Sequence, residues 1–148
     1  MKILLAELVP SFRYDLGRLP ALRHVKIQLS IDFAENIRML SLLTQLLSIS
    51  SSTSSIETLE IESAWYDIDI DDLDDLFSSG AGWSTLDQIL SSDKFVSLTK
   101  VVLRLEMLIA DRSLEFRNLF LSFINVLFPM FKTLQRTLET SVEILYSD

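Results

Sequence analysis

Between Leu22 and Ile31, the apolar residues Val25, Ile27, Leu29 and Ile31 alternate with His24, Lys26, Gln28 and Ser30. A period of two sends alternate side chains to opposite faces, so this pattern predicts a half-buried strand. The run Ile56 to Ile68 opens the same way, with Leu59 and Ile61 set against Glu60 and Glu62. A third run, Leu98 to Ile109, places Val101, Leu103, Leu105 and Met107 on one side. A weaker strand is expected around Ser141 to Tyr146.

The intervening segments change period. From Asp32 to Ile49, Phe33, Ile37, Leu40, Thr44 and Leu47 recur at helical spacing, and Asp32 with Glu35 resembles a capping box. Leu42, Leu43 and Leu46 widen the apolar stripe, as expected of a helix packed on a sheet and on a neighbouring helix. The serine-rich run Ser48 to Ser55 reads as a loop, and so do the acidic stretch Asp67 to Asp75 and Ser78-Ser79-Gly80-Ala81-Gly82. Ser84 followed by Asp87 predicts the start of a short helix to about Ser91, with Trp83, Leu86, Ile89 and Leu90 on its apolar face. Asp111 or Ser113 can cap a longer helix through Phe128, where Pro129 disfavours continuation. Phe120, Leu121, Phe123, Ile124, Leu127 and Phe128 surround most of that helix. Such a surface needs cover on two sides, supplied by the last strand and tail, by self-association or by further sequence of a larger protein.

Three strand entries share one apolar pattern: Leu22-x-x-Val25-x-Ile27, Ile56-x-x-Leu59-x-Ile61 and Leu98-x-x-Val101-x-Leu103, thirty-four and forty-two residues apart. Strands separated by helices need crossovers, which favour parallel pairing. Parallel strands covered on both faces read as unbroken apolar runs, whereas these alternate, so one face of the sheet is expected to be bare. The expected fold class is therefore α/β, a leucine-rich-repeat-like open parallel sheet with helices on one face. The alternative is a ferredoxin-like α+β sandwich, which also has a bare sheet face but requires an antiparallel hairpin between its middle strands. Residues 1–148 are expected to form one domain. Residues 19–148 would hold three to four βα repeats, and residues 1–18 would be irregular or a partial repeat, with Ile3, Leu4, Leu5 and Leu8 capping the edge of the sheet.

Composition narrows the chemistry. Among 148 residues there is no cysteine and one histidine, His24, which excludes thiolate metal sites, thiol nucleophiles and two-histidine metal motifs. A net charge of -8 opposes phosphate backbones and anionic lipid, so neither nucleic acid nor a membrane is an expected partner. Glu7 and Pro10 interrupt the apolar N-terminus before it reaches signal-peptide length. Without cysteines to oxidise, a cytoplasmic or nuclear location is expected. There is no Gly-x-Ser-x-Gly elbow and no glycine-rich phosphate loop, and no enzymatic role is expected. The aspartates at 67, 69, 71, 72, 74 and 75 do not fit a calcium loop, since Asp72 falls where glycine must turn and Ser78 where a bidentate glutamate belongs. No metal or cofactor is expected.

The strings Leu19-Pro20-Ala21-Leu22-Arg23-His24-Val25, Trp83-Ser84-Thr85-Leu86-Asp87 and Phe95-Val96-Ser97-Leu98-Thr99-Lys100-Val101 resemble the degenerate leucine-rich-repeat region of fungal F-box-like proteins. The resemblance covers roughly residues 19 to 146. In that family an N-terminal F-box docks on a ubiquitin-ligase adaptor and the repeats capture the target. The resemblance thus implies target recognition here, with the F-box itself not expected in the eighteen residues before Leu19. Ser30, Ala64 and Glu106 stand where the family's Asn or Cys ladder would sit, and the periods are longer than ordinary repeats.

If the three strands pair in register, their polar faces form rows: His24, Thr58 and Lys100; Lys26, Glu60 and Val102; Gln28, Glu62 and Arg104; Ser30, Ala64 and Glu106. Cross-strand pairs of opposite charge can fix register without any ligand. The same bare face, around Lys26, Gln28, Glu60, Glu62, Arg104 and Glu106, is the candidate surface for a protein partner. The competing expectation is a structural fragment of a larger repeat protein with no independent activity.

Overall fold

The computed structural model describes residues 2–4, 19–31, 33–48, 53–66, 68–77, 82–109 and 113–146. Its elements follow in the order β1 (Lys2–Leu4), β2 (His24–Ile31), α1 (Phe33–Ser48), β3 (Thr58–Tyr66), α2 (Ile70–Phe77), α3 (Trp83–Leu90), a 3-10 turn (Asp93–Phe95), β4 (Lys100–Ile109), α4 (Leu114–Asn125), α5 (Pro129–Thr133) and β5 (Thr137–Tyr146). The strands form one sheet in the order β1-β2-β3-β4-β5, and every neighbouring pair is parallel. The chain is α/β with a parallel sheet. All-parallel pairing excludes the ferredoxin-like alternative, which requires an antiparallel hairpin.

The alternation in the sequence becomes alternation in burial. In β3, Leu59, Ile61, Ser63 and Trp65 are buried and Thr58, Glu60, Glu62 and Ala64 only half-buried. Val25 and Ile27 of β2 and Val101, Leu103, Leu105, Met107 and Ile109 of β4 join Leu43, Leu47, Leu73, Leu86, Phe116 and Phe120 from the helices in one core. Of the described polar-face residues in β2, β3 and β4, only Val102 is buried, and it lies outside that core. Each strand entry is stitched to the next at the same row: Glu57 and Thr58 donate backbone N–H groups to Arg23 O, Thr99 and Lys100 to Glu57 O, and Thr137 to Thr99 O. Parallel ladders thus begin in register at positions that recur along the chain.

Several local expectations are corrected. The acidic stretch is not a loop, because Ile70 to Phe77 is a helix whose Leu73 and Leu76 are buried. Its aspartates form the helix start: Asp69 Oδ1 accepts from the Asp71 and Asp72 N–H groups, and Asp72 Oδ2 accepts from the Asp69 N–H. Acidic side chains satisfying donors at an N-terminus are helix-forming, which composition alone hides. Ser84 is not a cap, since α3 begins after Gly82 at φ 92°, a left-handed conformation that suits glycine. Ser48 closes α1 instead of opening the loop. Ser113 does cap α4, accepting from Phe116 N–H at 3.1 Å.

Helix α4 stops at Asn125 and does not reach Phe128. Phe128 stands at φ 53° and ψ 51°, and Pro129 then opens α5. The aromatic surface of α4 is covered mostly from within. Phe116, Phe120 and Ile124 are buried, and Phe123 stacks on Phe77 of α2 with ring centroids 5.1 Å apart, leaving Leu121 at 37% exposure. The last strand is longer than expected, ten residues from Thr137. Lys2, Ile3 and Leu4 pair with Lys26, Ile27 and Gln28, which places β1 at one edge of the described sheet. The expected capping roles of Leu5 and Leu8, the Asp32 cap, Asp67, the segment 78–81 and the serines at 49–52 lie outside the described residues.

Candidate functional site

The polar rows form in the register read from the alternation. His24 pairs with Thr58 and Thr58 with Lys100, Lys26 with Glu60 and Glu60 with Val102, Gln28 with Glu62 and Glu62 with Arg104, and Ser30 with Ala64 and Ala64 with Glu106. β5 extends each row, by Thr137, Glu139, Ser141 and Glu143 respectively.

Glu60 is the centre of the face. Its Oε1 accepts from Arg104 Nε at 2.8 Å and lies 3.4 Å from Lys26 Nζ, while its Oε2 lies 3.6 Å from His24 Nε2. Glu62 accepts from Lys26 Nζ at 3.1 Å through Oε1 and from Gln28 Nε2 through Oε2. One lysine therefore bridges two carboxylates, and Arg104 reaches diagonally past Val102 to the first of them. Farther along the sheet, Lys100 Nζ stands 2.6 Å from Glu139 Oε2. Val102, in the same row as Glu60 and Glu139, is 5% exposed.

Burial pushes the Glu60 carboxyl up, but hydrogen bonds from Arg104 and Lys26 outweigh it and hold the group below its ordinary value. The Gln28 amide and then Lys26 lower Glu62 despite burial. Lys26 is raised, by its hydrogen bond to Glu62 first, with Glu60 adding to it against desolvation. Both carboxylates are thus fixed as anions at neutral pH. What the arrangement presents is a fixed pattern of charge and hydrogen-bonding groups on a flat sheet.

Of the six residues singled out from the sequence, the structure joins Lys26, Gln28, Glu60, Glu62 and Arg104 in one network. Glu106 stands apart, exposed and level with Glu143. Sequence reasoning missed Glu139 and its ion pair with Lys100. The signal was the alternation of Leu138, Val142 and Ile144 with Glu139, Ser141 and Glu143, broken at Thr140 where an apolar residue would have extended the strand pattern.

Among the described residues, no group of three or more His, Asp or Glu side chains is arranged to hold a metal ion. None of their helices is long and apolar enough to cross a membrane. No family model, curated protein or solved structure matches the chain.

Proposed function

We propose that the chain is a non-enzymatic protein-interaction module of leucine-rich-repeat-like architecture, whose bare sheet face binds a protein partner. The observation that carries this reading is the in-register charge network on a face that no helix of the described core covers. Sequential parallel strands backed by helices on one side generate an extended surface, and repeat proteins use such surfaces for recognition. Lys26, Gln28, Glu60, Glu62 and Arg104 supply a preorganised polar pattern, and Glu106 an exposed acidic flank. The resemblance to F-box-like proteins makes the partner a target for capture by a ubiquitin-ligase component. The net charge of -8 argues against nucleic acid and anionic membranes as partners.

The test must separate binding from folding. Reversing Arg104 alone is unsuitable, because it sets a third carboxylate beside Glu60 and Glu62. The combined variant Lys26→Gln, Glu60→Gln, Glu62→Gln, Arg104→Gln removes both carboxylates and their lysine and arginine partners together, so that none of these four charges is left unpaired. Affinity capture from a eukaryotic lysate should recover specific proteins with the wild type and lose them with this variant, while its melting temperature stays close to wild type. Equal recovery, or none with either protein, would support the structural-fragment reading.

A further inference from the structure

The sheet has a second unassigned surface, at its β5 end. Thr137 donates its N–H to Thr99 O on the β4 side. Backbone groups alternate sides along a strand, so residues 139, 141, 143 and 145 also face β4, while Leu138, Thr140, Val142 and Ile144 direct their N–H and C=O groups outward. No strand pairs with that outer edge among the described residues.

Natural edge strands are normally short, bulged, or carry Lys or Pro. β5 is ten residues long, pairs with β4 without a break from Thr137 to Tyr146, and contains neither lysine nor proline. Its helix-side residues Leu138, Val142 and Ile144 are only partly buried. On the other face, Glu143 lies directly beside Glu106, both exposed, and no cation reaches either among the described residues. The other described carboxylates on this face are matched by Lys26, Arg104 or Lys100. Like charges side by side are unfavourable, and a cation from outside relieves them.

We propose that the outer edge of β5 docks an extended basic segment of a partner protein. The segment adds to the sheet as a further strand, lays alternate apolar side chains over Leu138, Val142 and Ile144, and sets a lysine or arginine against Glu143 and Glu106. Main-chain hydrogen bonds supply affinity in strand addition, and the alternate side chains supply specificity. This site is independent of the polar network around Glu60.

The probe is a capped peptide alternating valine and lysine, with a twin alternating valine and glutamate, titrated against the full chain by fluorescence anisotropy. The lysine peptide binds and the glutamate peptide does not. Glu143→Lys weakens the lysine peptide roughly tenfold, as loss of one close charge pair would. Thr140→Pro removes one outward donor without touching the β4 ladder and abolishes binding. The four-glutamine variant of the central network binds as tightly as wild type. Independently of any variant, the peptide slows amide exchange on the wild type at residues 138, 140, 142 and 144. Undiminished binding by Thr140→Pro, equal binding of both peptides, or unchanged exchange at those amides would overturn the proposal. Concentration-dependent self-association in sedimentation velocity that Thr140→Pro removes would assign the edge to a second copy instead.

Discussion

Asp87 shows how one side chain can join two elements. It is 3% exposed, its Oδ2 accepts from Met130 N–H and its Oδ1 from Phe131 N–H, each at 2.9 Å. A carboxylate from α3 thus satisfies the first turn of α5, a five-residue helix too short to stand alone. Asp87→Ala leaves the two backbone donors of α5 unsatisfied and should cost about 2 to 3 kcal/mol in urea unfolding, with Asp87→Asn costing less. The Glu60 cluster obeys a different rule, because its charges answer one another. In a double-mutant cycle, Arg104→Gln and Glu60→Gln should couple by roughly 0.5 to 1 kcal/mol, the range of well-formed but solvent-accessible pairs. The Glu60 and Glu62 carboxyls lie lower in the folded chain than the ordinary value near 4.5. Their contribution is complete above that value and is lost as pH falls through the lowered folded values. Wild type should therefore lose more stability than Glu60→Gln, Glu62→Gln between about pH 6 and pH 3 in denaturant titrations.

At the scale of elements, what was legible in the sequence depended on whether one period dominated. β2, β3 and β4 alternate except at positions such as Val102, so their existence and parallel register could be read from Val25, Leu59 and Val101 onward. α2 was hidden because five aspartates between 69 and 75 outweigh the apolar spacing of Ile70, Leu73, Leu76 and Phe77. Those four residues are the element's reason for being. Phe77 stacks on Phe123 and on Trp83, at 5.1 and 5.9 Å, and meets Phe120 edge-on at 5.8 Å. α2 is thereby held to α3 and α4 through one ring. Phe77→Ala should lower stability by about 2 to 3 kcal/mol, less than a fully buried phenylalanine, as measured by chemical denaturation. α5 was missed for another reason. Its start is fixed by Asp87, forty-odd residues earlier, a long-range partner that no local pattern announces.

Across the whole molecule, sequential parallel order makes each strand depend on its immediate neighbours, and charge follows the same order. Lys26 on β2 pairs with Glu60 and Glu62 on β3, Glu60 pairs with Arg104 on β4, and Lys100 on β4 pairs with Glu139 on β5. Glu60, Glu62 and Glu139 are answered strand against strand, while Glu106 and Glu143 add to an acidic excess that includes the aspartates of the α2 segment. Register, polarity and packing therefore specify one arrangement together, which is the consistency expected of a foldable sequence. A sheet built this way should open from its edges, since an interior strand has ladder partners on both sides and an edge strand on only one. In β3, both sets of backbone amides are engaged, and successive residues should exchange hydrogen at similarly slow rates. In β5, residues 139, 141 and 143 are bonded toward β4 and should be protected, whereas 138, 140 and 142 should exchange faster, giving a two-residue oscillation. Amide exchange resolved by residue measures this directly. Uniform protection along β5 would mean that its outer edge is already paired, and it would remove the free edge on which strand addition depends.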